Sequence, residues 1–542
     1  MVRHREMWLS RFFYLRLNQY SYIKSNSMLR SQEIKRYSPK LQGGLLGRYY
    51  EEDVIRYKNN YYGLKTWTDS IEYPAVFIGV RSGFEIIRML HDYDLVKIIV
   101  VEGNDQIIKE LISVLDGCEG LKWSDRVYFC QSMAALADLI RDSSIGLIRV
   151  DIEKFYWLGL LEIFNKYTVN YICGEFDPVD VDPMDVYRVS RDKAKSFYWR
   201  VLGAKIPLVQ RAKKCLYEVS VVIPAYKVLP WIDRCISSLV EQNLESIEII
   251  AVDDGSPDDT GKRLDEWALK YPQKVRVIHK KNGGCASARN CGLYEARGEY
   301  VAFVDADDWV DRRMFSELYR SAIMNGTDVA ECGYAEYYEN SGKVKNYPST
   351  SMSVDKNEVV GFVNDPRTHL VAKPTIWRRI YRKEFLTSNS ICFPEHIRRF
   401  DDLPFQFEVF SRVAKMSQIP ECYYFYRQER EGQDVMVRDH RLFVHFKIFD
   451  WLHDRVGGWC DTTVNRYMLQ CKINTHRWAL SKIEKKYLLA YLRAAINDIV
   501  HYHGSIDRME LFAKVMRRGG PIILAGILLV SLLGSGDIPD DN

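Results

Sequence analysis

The chain has 542 residues, too many for one ordinary domain at about 150 residues each. A hydrophobic fraction of 47% and a charged fraction of 27% exclude a disordered or fibrous protein. A net charge of +4 on 76 basic and 72 acidic residues excludes a globally basic nucleic-acid binder, so no nucleic-acid partner is expected. The 12 cysteines form no Cys-x-x-Cys pair, so neither a structural zinc site nor a disulfide framework is expected, and a reducing cytosol is the simplest compartment. The sequence opens without a signal-peptide apolar region and lacks a run of about 18 apolar residues, so no standard spanning helix is expected.

Residues 1–70 read as a basic, aromatic extension. Its first 48 residues hold ten Lys/Arg against Glu6 and Glu33, with Trp8, Phe12, Phe13, Tyr14, Tyr20 and Tyr22 between them. That mixture suits peripheral contact with an anionic membrane, and a solvated helix packed on its own protein is the alternative. Residues 71–185 alternate between strand and helix. Ala75–Gly79, Lys97–Val101, Gly146–Asp151 and Val169–Cys173 read as strands, and Phe84–Leu90 and Gln106–Leu115 as helices. Such alternation predicts a parallel sheet covered on both faces. Residues 186–217 read as a linker.

A second alternating block spans 218–438. Strands are expected at Val219–Ile223, stopped by Pro224, and at Ile247–Val252, Val275–His279 and Tyr300–Val304. Helices are expected at Leu229–Glu241, Thr260–Tyr271 and Ala286–Ala296. Most of these strands end in loops rich in Asp, Gly or Pro, the edge where open α/β sheets bind ligands. Residues 439–542 read as mostly helical and include the apolar stretch Pro521–Gly534, either a membrane-dipping anchor or a buried helix.

Three pieces of the second block carry chemistry. In Asp305-Ala-Asp307-Asp308, strand geometry persisting past Val304 puts Asp305 and Asp307 on one face. Two such carboxylates can hold a hard divalent cation together with a phosphate oxygen. In Val252-Asp253-Asp254-Gly255-Ser256, Gly255 permits a tight turn, and an exposed carboxylate can read the N–H of a pyrimidine. A simple strand-to-helix cap is the alternative. The run from Lys281 to Gly292 places Gly283 and Gly284 before a helix that carries Arg289, a combination that favours anions.

Together these pieces resemble the family 2 glycosyltransferases of the GT-A fold, over Glu218–Arg438. The resemblance implies a nucleotide-sugar donor, a UDP-sugar first, with Pro224, Ala225 and Tyr226 bordering the nucleobase and Asp253 and Asp254 at its edge. It implies Arg289 beside the nucleotide, Asp305 facing the ribose, and Asp307 ligating Mn2+ or Mg2+. Arg399-Phe-Asp401-Asp402 resembles the acidic pair before an apolar helix in the family's acceptor half, where Glu-Asp is usual. Asp402 is then the base for an inverting displacement, and the plain alternative is a helix N-cap. Tyr424-Phe-Tyr426-Arg427 resembles the family's later aromatic-Arg segment. A sugar nucleotidyltransferase is disfavoured, because the first strand lacks a Gly-rich phosphate loop with Arg after it.

The first block resembles the FkbM-type, S-adenosylmethionine-dependent methyltransferases. The matching residues are Gly79, Gly83, Glu102 and Asp151, within Phe77–Gly83, Val101–Asn104 and Ile148–Glu153. Phe77 stands where that family has an acid, and Arg81 where it has a small or polar residue. The expected architecture is α/β: a Rossmann-like domain, a GT-A domain, then a mostly helical region. The expected function is transfer of a sugar to a glycan or lipid-linked acceptor in bacterial surface-polysaccharide synthesis, in the cytoplasm and peripherally at the inner membrane face. The alternatives are a bifunctional glycosyl- and O-methyltransferase and an inactive scaffold.

Overall fold

The computed structural model describes residues 75–500 apart from short internal stretches, among them 79–85, 153–159, 350–360 and 431–436. Residues 1–70, the Pro521–Gly534 stretch, Gly79 and Gly83 therefore lie outside the described residues. Two compact units divide at Lys214 and Cys215.

The first unit is built on one sheet. Its strands are β1 (Ala75–Ile78), β2 (Ile98–Val101), β3 (Val127–Cys130), β4 (Ser144–Ile152), β5 (Thr168–Phe176), β6 (Ala194–Val201) and β7 (Leu208–Arg211), in the order β3-β2-β1-β4-β5-β6-β7. All neighbours are parallel except β6 and β7. Continuous apolar runs such as Ala75-Val-Phe-Ile and Ile98-Ile-Val-Val are fully buried, as strands covered on both faces must be. Helix α1 (Asp105–Asp116) starts where the Asn104 side chain accepts from the Gln106 and Ile107 amides. Helix α2 (Pro183–Lys193) starts likewise on Asp182, with proline in its first turn.

The expected linker, 186–217, is corrected here. It contains the end of α2 and strands β6 and β7, with Phe197 and Trp199 fully buried. The apolar residues alternate with polar ones in Lys195-Ser-Phe-Tyr-Trp-Arg-Val, a strand pattern masked by the flanking basic residues. Phe77 is buried in one core cluster with Ile86, Leu111 and Leu147, so it packs the sheet rather than opening a ligand loop.

The second unit holds a ten-stranded sheet. Its parallel half is β8 (Tyr217–Ala225), β9 (Ile247–Asp253), β10 (Val275–His279) and β11 (Gly298–Phe303). Helices α3 (Ile232–Val240), α4 (Thr260–Lys270) and α5 (Cys285–Glu295) connect these strands. Then follow β12 (Trp309–Val310), α6 (Met314–Asn325), β13 (Val329–Tyr338), β14 (Lys343–Tyr347), β15 (Gly361–Val363), β16 (Arg379–Arg382), α7 (Lys383–Ser388), α8 (Asp402–Arg412) and β17 (Met416–Gln428). The main strand order is β10-β9-β8-β11-β16-β13-β17-β12. Helices α9 (Val444–Val456), α10 (Thr462–Leu480) and α11 (Lys485–Val500) make the described part of the C-terminal region, up to Val500, mostly helical, as expected. Among the described residues no helix is long and apolar enough to cross a membrane.

Pro224 does not stop β8 as expected. The strand runs on to Ala225, paired with β9 through Asp253. Its pairing with β11 ends at Val222, so Pro224 lies where β8 is paired on one side only, a position proline tolerates.

Candidate functional site

The carboxyl ends of β8, β9 and β11 bring the three sequence pieces together. Asp253 closes β9 and is buried. It accepts from the Ser256 amide at 3.0 Å and faces His279 Nδ1 at 3.0 Å, while His279 Nε2 lies 2.9 Å from Asp265. Burial pushes the Asp253 pKa up, but the Ser256 and His279 contacts outweigh it and hold the group below its ordinary value. The two carboxylates, Asp253 foremost, raise the His279 pKa in turn. Asp253 is thus engaged in closing the turn.

Asp254 is buried rather than exposed by the Gly255 turn as expected, and it faces the glycine loop. Its Oδ1 accepts from Lys280 Nζ at 2.7 Å and the Gly283 amide at 2.9 Å, and its Oδ2 accepts from the Gly284 amide at 2.7 Å. Gly284 has φ 92°, a region costly for residues with a Cβ. One carboxylate therefore fixes the loop from which α5 starts. Ala225 is buried, Pro224 is partly exposed, and Tyr226 is 44% exposed beside them.

Arg289 sits on α5, 3% exposed. Its Nη1 donates to Asp401 Oδ2 at 2.8 Å and Asp402 Oδ1 at 2.6 Å, and its Nη2 donates to Asp305 Oδ1 at 2.7 Å. One guanidinium thus ties the 305–308 segment to the Asp401–Asp402 pair, more than 110 residues on from Arg289. Burial opposes the Arg289 charge, yet the surrounding carboxylates raise its pKa well above the ordinary value. Burial first, then the charges of Asp401 and Asp305, lift Asp402 to about 7 against the pull of Arg289. Asp401 holds the N-cap position of α8 and Asp402 lies in its first turn, as the N-cap alternative expects, but the Asp401 side chain caps no backbone amide and meets Arg289 instead.

Neighbouring residues hold α8 and its loop in place. Asn290 exchanges two hydrogen bonds with the Phe393 backbone, at 2.8 and 2.9 Å. Gln406 on α8 accepts from Arg379 at 2.8 Å, and Arg379 donates to the buried Glu331 at 2.6 Å. Phe400, with φ 55°, packs its ring against His445 and Trp478 of the C-terminal helices. A non-glycine residue held there is strained.

The 305–308 segment departs from the expected alternation. Strand β11 ends at Phe303, and the Asp308 amide donates to the Asp305 carbonyl at 3.0 Å, closing a turn. Asp305 and Asp307 therefore meet different partners. Asp305 meets Arg289, whereas Asp307 Oδ2 lies 2.6 Å from Arg430 Nε. Burial raises the Asp307 pKa. Tyr424 accepts from the Asp305 amide at 3.2 Å and donates to Asp308 at 2.7 Å, and Arg427 donates from its backbone to Asp308 and from Nε to the Asp307 carbonyl. The aromatic-Arg segment thus braces this turn. Sequence pattern alone does not mark Lys280, Asn290 or Arg430 as site residues. Lys280 and Asn290 adjoin motif residues in sequence, whereas Arg430 carries no signal short of the folded arrangement.

In the first unit, Glu102 follows β2, is buried, and accepts from the Asn104 amide at 2.9 Å. Asp151 lies in β4, but its side chain is outside the described residues.

A sheet whose strand ends gather an aspartate turn, a glycine loop and a second acidic pair on one arginine matches the GT-A-like class of sugar transferases. The family model "Glycosyl transferase family 2" matches residues 220–386. An uncharacterized glycosyltransferase of Bacillus subtilis, EpsJ, is 33% identical over 261 residues, covering 46% of this chain and 74% of EpsJ. A poly(ribitol-phosphate) beta-glucosyltransferase of Bacillus spizizenii is 30% identical over 223 residues, covering 41% of this chain and 34% of its own. Among solved structures, Staphylococcus aureus TarS 1–349 in complex with UDP superposes with a TM-score of 0.46 and 18% identity, over 58% of this chain and 88% of that one. The chain belongs to glycosyl transferase family 2.

Proposed function

We propose that this protein is an inverting, metal-assisted glycosyltransferase. It takes a hexosyl group from a nucleotide-sugar, a UDP-sugar first, and passes it to a glycan or lipid-linked acceptor in surface-polysaccharide synthesis. The observation that carries this reading is the buried Arg289 holding Asp305, Asp401 and Asp402 together. It sets a general base of matched pKa beside the donor-side turn. The relative that acts on poly(ribitol-phosphate) supports a polymeric surface acceptor.

The donor set fits Mn2+ or Mg2+. Asp307 is the carboxylate the turn offers to an ion, Asp305 being engaged by Arg289, and among the described residues no group of three or more His, Cys, Asp or Glu converges as a complete metal cage. Such ions commonly bind one or two carboxylates and complete their shell with water and substrate phosphates. When bound, the ion neutralises charge on the departing nucleoside diphosphate.

The protein's own residues do the rest. Asp307 holds the ion, and Asp305 orients the ribose while anchored to Arg289. Pro224, Ala225 and Tyr226 border the nucleobase. Asp253 closes the adjoining turn. Asp254 Oδ2 has acceptor capacity left for a pyrimidine N–H after meeting Gly284. Asp402 takes the proton of the acceptor hydroxyl as that oxygen attacks the anomeric carbon opposite the diphosphate, which inverts the configuration. Arg289 keeps Asp402 aimed and ionisable. Peripheral membrane contact belongs to residues 1–48 or Pro521–Gly534, at the cytoplasmic face.

Asp402→Asn keeps the volume and removes the proton acceptor. Sugar transfer should fall by roughly 10²–10⁴-fold, while the rise in melting temperature caused by UDP with Mn2+ persists. Unreduced transfer in Asp402→Asn would remove the base assignment. A second reading concerns the first unit, a Rossmann-like site for a nucleotide-type cofactor such as S-adenosylmethionine. It is favoured by the reversal of strand order between β1 and β4 and by the buried Glu102 after β2.

A further inference from the structure

We propose that Arg430 occupies the divalent cation's place on Asp307 in the metal-free protein, so that metal binding is an exchange of one cation for another. The inference rests on the reading of Asp307 as the ion's ligand. Arg430 Nε lies 2.6 Å from Asp307 Oδ2. That nitrogen is buried, yet it makes no hydrogen bond. The pair is held by charge without a directed N–H, and a buried donor left this way is costly. A divalent metal ion competes for the same carboxylate oxygen.

The two arginines of this segment divide the work. Arg427 holds the backbone of the aspartate turn, through the Asp307 carbonyl at 2.8 Å and the Asp308 carboxylate at 2.7 Å. The ion pair of Arg430 with this turn is to the Asp307 side chain. Removing Arg430 from Asp307 therefore leaves the turn braced. The Arg430 guanidinium also lies over the Trp231 ring, 4.9 Å from its centroid, a face that stabilises a cation. Glu429, just before it, has φ 67°, so the backbone delivering Arg430 is held in a strained form. An aspartate kept buried at 8% exposure needs a compensating charge. Arg430 supplies that charge until the ion replaces it.

The sign of the prediction separates this role from a structural one. Loss of a merely structural arginine would weaken the metal site, whereas loss of a competitor tightens it. Mn2+ uptake by the full chain is measured by the electron paramagnetic resonance of free Mn2+, with saturating UDP present. Arg430→Gln should bind Mn2+ more tightly, on the order of tenfold for a partly buried pair. Arg430→Lys, which keeps the charge, should stay near the wild type, and Asp307→Asn should lose binding. Mg2+ titration should change the tryptophan emission of the wild type, and that change should be missing in Arg430→Gln and Trp231→Phe. Equal or weaker Mn2+ binding by an Arg430→Gln protein of native melting behaviour overturns the proposal while leaving the metal reading intact. If Arg430→Gln misfolds, Arg430→Lys still tests the idea through the emission change, whose absence there overturns it. No Mn2+ uptake by any variant, with UDP still raising the melting temperature, overturns the metal reading and this proposal with it.

Discussion

Asp402 lies between two opposing influences. Burial and the Asp401 and Asp305 charges favour its neutral form, and Arg289 favours its ionised form. With a pKa of about 7, kcat/KM should rise with pH up to neutrality and level off above it. Asp401→Asn removes a nearby negative charge, so the acidic limb should move down by on the order of one pH unit. A pH–rate profile of both proteins checks this, and an unmoved limb would mean that another group titrates. The stability sign is opposite. From the ordinary carboxylate range up to about 7 the folded state holds the Asp402 proton more tightly than the unfolded chain, so ionising it lowers stability as pH rises through that window. The aspartates themselves were readable from sequence, because each ends a strand pattern or precedes an apolar run. Their partners were not. Arg289 was expected beside the nucleotide, but its bonds to Asp401 and Asp402 span 112 and 113 residues, which no local pattern encodes.

The elements most legible in sequence are those whose signal is local. Strands β8 to β11 and helices α3 to α5 fall within a few residues of expectation, because apolar runs and glycine or aspartate boundaries define them. Strands β12 to β17 carry no such local signal. Their pairings, such as β13 with β16 and β17, join distant segments, and β17 contains a proline and mixed polarity. Helix α5 shows how one element sets the site. A Cβ on Gly292 would stand 2.2 Å from Val222 Cγ1, so only glycine lets α5 approach β8 at the distance that aims Arg289. Gly292→Ala should cost about 1–3 kcal/mol by overpacking and loosen the Arg289 cluster. Urea unfolding together with transfer rates tests both effects. A variant of wild-type midpoint and rate would show that α5 shifts without consequence.

At the scale of the molecule, each unit has its own sheet among the described residues. The division at Lys214 and Cys215 leaves the Arg289 cluster, the aspartate turn and the C-terminal helices together in the second unit. That unit carries its own core. Phe303 packs against Tyr381, Phe393 and Phe405, and Phe400 reaches into the helices that follow. The described contacts that support the residues assigned to sugar transfer lie within residues 215–542. Produced alone, that segment should fold and show the same rise in melting temperature with UDP and Mn2+ as the full chain, because a ligand of the native state stabilises by mass action whatever else is attached. S-adenosylmethionine provides the complementary test. A shift seen in the full chain and lost in residues 215–542 would assign a cofactor site to the first unit, where Glu102 follows β2. No shift in either would leave that unit a scaffold. If residues 215–542 fold but lose the UDP response, the donor site depends on the first unit, and assigning sugar transfer to the second unit alone fails.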